Sequence, residues 1–117
     1  MNSISSILQR LSAYRLMWVI VLFDLPTITA EDQKIANEFR KKLLEEGFTR
    51  FQFSIYTRAC PSRESAEVYV RRIERILPTH GKVGILTITD KQFAAMKIFY
   101  GNKKGPHPDG YQQLQLF

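Results

Sequence analysis

Few residues here are of a type that does chemistry, and they are scattered: Asp24, Cys60, His80 and His107. The two histidines stand at no metal-ligand spacing from each other or from Cys60, which argues against a zinc site. Cys60 lies between Ala59 and Pro61 and reads as a structural thiol rather than a nucleophile. No glycine-rich phosphate loop appears. Asp24 remains. It closes the stretch LMWVIVLFDLP, Leu16 to Pro26, whose first eight residues are all apolar. A short apolar run rich in Val and Ile reads as a strand buried on both faces, and so as the middle of a sheet. A carboxylate where that strand ends sits at the sheet's rim among apolar neighbours, a costly place for a charge unless something pairs with it. Two readings fit. Asp24 caps the Asp-Leu-Pro turn, or it holds a metal and takes part in catalysis.

One aspartate does not complete a Mg²⁺ site. That ion binds through one or two carboxylates and fills its remaining positions with water and substrate phosphate. Symmetry offers the second carboxylate, because a residue near the axis of a two-fold dimer appears twice. Two facing carboxylates repel when ionised, and a divalent cation between them relieves the repulsion. The same cation activates water toward a phosphodiester. This reading requires Asp24 close to the axis.

The elements that must position Asp24 follow from periodicity. At 117 residues, with 44% hydrophobic, the chain predicts one domain with a modest core and not a disordered polymer. Residues 1–13 carry Ile4, Ile7, Leu8 and Leu11 at helical spacing, which suits a short helix or a frayed start. After the first strand, Thr29 and Asp32 stand as a capping box. Ile35, Phe39 and Leu43, widened by Ala36 and Leu44, make an apolar stripe, and Gly47 suits the position after a helix end, so a helix is expected over about 30–46. Arg50 to Arg58 alternates, with Phe51, Phe53, Ile55 and Thr57 toward the core and Arg50, Gln52, Ser54, Tyr56 and Arg58 outward. That polar face is solvated, binds a phosphate backbone, or meets a second subunit. Ser62 caps a second helix whose apolar spacing continues up to Pro78. KVGILTIT through Thr89 is the third strand, Asp90–Ala94 a helical turn, and Met96 to Tyr100 a fourth strand. Gly101 to Gly110 is a linker, and Tyr111 to Phe117 a short further strand that pairs in its own subunit or adds to a partner's sheet edge.

The formal charge of +6 favours a polyanion, most simply nucleic acid, over a merely soluble basic protein. Arg15, Arg50, Arg58, Arg71, Arg72, Arg75, Lys103 and Lys104 are the candidate contacts, some of them ordinary surface. The run Leu16–Phe23 is too short to span a bilayer, and residues 1–13 lack the basic start and long apolar centre of a signal peptide. A cytoplasmic protein with no membrane association is expected. The single cysteine excludes an internal disulfide and agrees with a reducing compartment.

The strand ending in FDLP with Tyr14 and Arg15 before it, the Gln52-x-Ser54-Ile55-Tyr56 core, the segment GKVGILTITDKQF and the final QLQLF together resemble the CRISPR-associated protein 2 family, in the form found in type II systems. The match covers Tyr14 to Phe117, and its specificity lies in the order and spacing of motifs that are individually weak. The resemblance implies an α+β, ferredoxin-like sandwich: an antiparallel sheet with two helices on one face. Residues 1–100 would form this domain, with 1–13 an N-terminal extension, and 101–117 a linker plus an extra C-terminal strand lying on the partner of a homodimer. It implies that Asp24 is the metal-binding and catalytic aspartate, with Mg²⁺ (or Mn²⁺) as cofactor for a metal-dependent endonuclease acting on RNA or DNA. It also implies a subunit of the spacer-acquisition complex, in which the homodimer bridges dimers of the integrase, CRISPR-associated protein 1, and holds spacer DNA. The chain departs from the family in having Phe23 where a tyrosine precedes the aspartate. The contrasting reading is a non-catalytic RNA-recognition-like module. It is disfavoured because Phe51 and Phe53 share their face with Ile55, and KVGILTIT has no aromatic.

Overall fold

A computed structural model of the chain describes residues 16–107. The chain runs β1 (Met17–Asp24), α1 (Ala30–Glu45), β2 (Thr49–Gln52), β3 (Ile55–Cys60), α2 (Arg63–Glu74), β4 (Lys82–Thr89), α3 (Asp90–Ala94), β5 (Phe99–Tyr100) and β6 (Lys103–Lys104). The main sheet has the order β2-β3-β1-β4 with antiparallel pairing throughout. Through β4 this is the β-α-β-β-α-β order of a ferredoxin-like fold, and β1 is flanked on both sides, as its all-apolar sequence requires.

The pleat sorts β1 into two faces. Met17, Val19, Val21 and Phe23 pack under the helices with Phe39 and Leu43 of α1, Ala66 and Ile73 of α2, and Tyr56 and Cys60 of β3. Trp18 and Ile20 point the other way, onto Phe93, with Phe51, Ile55, Ile88 and Met96 around them. A single strand therefore seeds both clusters. On the second face the Trp18 ring stacks on Phe93 at 4.0 Å, and its indole N–H donates to the buried Asp90 carboxylate at 2.7 Å. That bond ties the first strand to the first residue of α3.

The helix ends follow the sequence. Thr29 and Asp32 exchange both hydrogen bonds of the capping box, Ser62 accepts from the Ser65 N–H, and Gly47 adopts φ 86° just after α1. α2 stops at Glu74, short of Pro78; Ile76 still packs on the core from the following turn.

Two expectations need correction. Arg50 to Arg58 is not one strand. It is a hairpin that turns at Phe53-Ser54 and carries a register shift between Arg50 and Gln52. The turn breaks the alternation, so Tyr56 enters the core beneath the helices while Phe53 is left exposed at the tip. The turn splits the stretch into the paired middle strands β2 and β3 of the fold. Nor does Met96 to Tyr100 join the sheet. Only Phe99 and Tyr100 are extended, and they pair with Lys104 and Lys103 across a tight turn. Gly101 makes that turn with φ 68°, the positive value a type II′ hairpin needs at its first central residue. The further strand expected at Tyr111 to Phe117, like residues 1–13, lies outside the described residues.

Candidate metal and nucleic-acid site

Asp24 is the last residue of β1 and is exposed. Its carboxylate takes part in no hydrogen bond and no ion pair among the described residues, so the turn-capping reading finds no support. Alternation places it on the same face as Trp18, Ile20 and Leu22, away from the helices. Its antiparallel partner is Lys82, and Leu22 pairs with Gly84. The missing side chain at Gly84 helps to open a shallow hollow of about 300 Å³ lined by Leu22, Phe23, Asp24, Lys82 and Gly84. Gly81, at φ 90°, lets the β4 entrance close over this strand end: a Cβ there would fall 2.8 Å from the Asp24 carbonyl oxygen.

Phe23 points the opposite way. Its ring meets Phe39 edge-on at 5.3 Å and stacks near Tyr56 at 5.7 Å. A phenol at this position would face the helices rather than the Asp24 carboxylate, so the departure at Phe23 removes nothing from the face Asp24 occupies.

The donor set fits a divalent cation in one respect and falls short in another. A free, exposed carboxylate is a suitable oxygen ligand. Among the described residues, however, no group of three or more His, Cys, Asp or Glu side chains gathers anywhere. Asp24 is the one acidic side chain lining the hollow, so it does not complete a cation site by itself. His80 is exposed and bonds Thr79 through Nδ1 at 2.9 Å, and the His107 Nε2–H donates to the Phe93 carbonyl at 3.1 Å. Cys60 is fully buried, and burial pushes its thiol pKa up despite the lowering effect of nearby Arg58. None of these three lines the hollow beside Asp24.

The basic candidates separate by what they touch. Arg58 is engaged inside the fold: it donates to the Tyr69 hydroxyl at 2.7 Å and to the Gly47 carbonyl at 3.3 Å, and lies 3.9 Å over the Tyr69 ring. Arg72 pairs with Glu46 at 2.6 Å, a contact that raises its pKa further. Arg50, Arg71, Arg75, Lys103 and Lys104 are exposed, and Arg15 lies outside the described residues.

Residues 17–96 match the family model described as CRISPR associated protein Cas2. The chain belongs to the Cas2 family. A Cas2 relative from Flavobacterium psychrophilum is 57% identical over 108 residues, covering 92% of this chain and 94% of the relative. Another, from Parvibaculum lavamentivorans, is 50% identical over 101 residues, 86% of this chain and all of the relative. A third, from Paracidovorax avenae, is 43% identical over 107 residues, 92% of this chain and 99% of the relative. All three carry the name CRISPR-associated endoribonuclease Cas2. The expectation of a nuclease, a hydrolase of phosphodiesters, is thus borne out at the level of these relatives.

Sequence reasoning singled out Asp24 but missed its neighbours. Lys82 was legible in principle, because a third strand that pairs antiparallel with β1 must begin beside the end of β1. Arg40 and Phe53, which lie together at the same end of the sheet, were not. Arg40 is on a helix whose sequence signal is its apolar stripe, and Phe53 reads as core when Arg50 to Arg58 is one unbroken strand. Among the described residues no helix is long and apolar enough to cross a membrane.

Proposed function

We propose that this Cas2 chain is a metal-dependent endoribonuclease that works as a homodimer, with its cation held between two copies of Asp24. One observation carries the reading. The free Asp24 carboxylate shares its face with an exposed apolar strip, in which Leu22 is 39% and Leu86 49% exposed. Ile20, Leu22, Leu86, Ile88 and Phe99 also line a hollow of about 340 Å³ on this face. Large apolar residues left open in this way suit a partner surface. A second copy is the occupant that also brings a second carboxylate.

A divalent cation there, Mg²⁺ or Mn²⁺, would supply a water-derived nucleophile and offset charge on the phosphate. The chain's own residues do the rest. Asp24 anchors and orients through its unshared oxygens. Lys82, across the ladder on the same face, draws the anionic phosphate toward the strand end. The hollow at Gly84 leaves room for the phosphate beside the ladder. In hydrolysis the water oxygen bonds to phosphorus, the bond to the leaving sugar oxygen breaks, and that oxygen takes up a proton.

The same dimer serves as a subunit of the spacer-acquisition complex, bridging dimers of CRISPR-associated protein 1 and holding spacer DNA. Exposed Arg71 on α2, Arg75 at its C-cap, and Lys103 and Lys104 on β6 supply phosphate contacts. The outer edge of β4 pairs with nothing among the described residues, which leaves it open to Tyr111 to Phe117 of a second copy.

The test is cleavage of single-stranded RNA by purified protein. Mg²⁺ supports cleavage, EDTA stops it, and Asp24→Asn abolishes it while sedimentation still reports a dimer. Parent-level cleavage by Asp24→Asn, or no cleavage from a folded dimer, would remove the catalytic assignment.

A further inference from the structure

Phe53 caps the β2–β3 turn with its ring 65% exposed. The ring is held in place. The guanidinium carbon of Arg40, arriving from α1, lies 4.5 Å from its centroid, and that of Arg50 5.8 Å away. Arg40 also lies 5.6 Å from the Phe23 ring, so it bridges the core and the exposed aromatic. Neither arginine has a carboxylate partner among the described residues. Arg40 donates only to Asn37 Oδ1, at 3.3 Å, and its Nε is buried with no hydrogen-bond partner. Single exposed aromatics are ordinary on protein surfaces. An open ring beside two guanidinium groups with spare donors and uncompensated charge is not.

We propose that Phe53, Arg40 and Arg50 form a platform that takes an unpaired nucleotide of the RNA strand presented to Asp24. The ring stacks on the base, and the arginines hold the flanking phosphates. This rests on the nuclease reading of Asp24 and names how its substrate is held. A nucleotide satisfies both halves of the platform, since a base has a π-face and phosphate oxygens accept from guanidinium. An acidic peptide would satisfy the arginines and leave the ring exposed. A duplex keeps its base faces inside the stack, so the platform selects single strands. Position links it to Asp24. The Phe23 N–H donates to the Ser54 carbonyl at 3.0 Å, just beyond the last β1–β3 pair at Leu22 and Ile55, so the Phe53-Ser54 turn lies beside the Asp24 end of β1. An RNA strand that wraps round this end of the sheet, from the helix side where Arg40 holds Phe53 to the face where Asp24 points, meets both.

The test uses the full chain carrying Asp24→Asn, so that the probe is not cut. Binding is followed by fluorescence anisotropy on a labelled single-stranded RNA of about 12 nucleotides, a length within single-strand site sizes, and on the matching RNA duplex. Phe53→Leu keeps apolar bulk at an exposed turn but loses the ring. It weakens single-strand binding about tenfold, within the range of base–aromatic stacking, leaves duplex binding unchanged, and is rescued by Phe53→Trp. Arg40→Gln lowers the salt slope of single-strand binding by about 0.7, the share of one phosphate contact. Single-strand affinity of Phe53→Leu within about twofold of its parent, or an equal loss on the duplex, would overturn the proposal. Should Asp24→Asn still cut RNA while Phe53→Leu shows the selective loss, the catalytic assignment falls and the platform stands.

Discussion

At the scale of single residues, the fold treats its titratable groups in contrasting ways. Asp24 is left exposed with unshared oxygens, whereas Asp90, 4% exposed, accepts from the Trp18 indole. A buried carboxylate needs such a donor, and an exposed one does not. Cys60 is sealed beneath α2, where its thiol donates weakly to the Arg58 carbonyl at 3.9 Å. Burial favours the neutral thiol, so the folded pKa lies above the unfolded one. The associated stability is fully present below the unfolded thiol's pKa. It is lost as the pH rises through the higher folded value, in the alkaline range. At pH 8 iodoacetamide should therefore modify Cys60 rapidly in urea-unfolded chain and far more slowly in native protein. Equal rates by mass spectrometry would show that the pocket opens.

At the scale of elements, β1 governs the rest because both of its faces are apolar and both are used. α3 has only five residues and cannot be stable on its own. It is fixed by Phe93 under Trp18, by the Asp90 bond, and by the Asp90 N–H donating to the Leu16 carbonyl at 3.1 Å. Trp18→Phe keeps an aromatic ring but leaves the Asp90 carboxylate without its indole donor. It should cost about 1–3 kcal/mol in urea unfolding at fixed protein concentration. A loss within experimental error would mean that water replaces the indole. The elements that could be read from sequence were those whose signals are local: the β1 run, the Thr29–Asp32 box, the Ser62 cap and the alternation of β4. The β2–β3 turn could not be read this way. Phe53-Ser54 carries no glycine or proline, and Arg50 to Arg58 alternates evenly through it. Tertiary packing decides there, because Tyr56 gains the core and Phe53 gives it up. The short β5–β6 pair was hidden for a similar reason. MKIFY has strand propensity, but the chain after α3 runs onto the sheet face, where Met96 packs beside Trp18 and Phe93, and takes no sheet edge.

At the scale of the whole molecule, the two sheet faces have different fates. One is closed by α1 and α2. The other is covered near Trp18 by α3 and the chain that follows, and left open toward Leu22, Leu86 and Asp24. Asp24 was legible as a residue that must do something, and Cas2 membership was legible in the order of the motifs. Which face Asp24 occupies follows only from strand register. One chain offers one carboxylate there, so the proposed cation site needs two chains. The most direct measurement is RNA cleavage by dimers assembled from parent and Asp24→Asn chains in varied proportion at constant total protein. If the cation needs both copies of Asp24, only all-parent dimers are active. Activity then follows the square of the parent fraction, about one quarter when half the chains are mutant. A linear fall, to about one half at the same mixture, would mean that each chain cuts alone and would contradict the shared site.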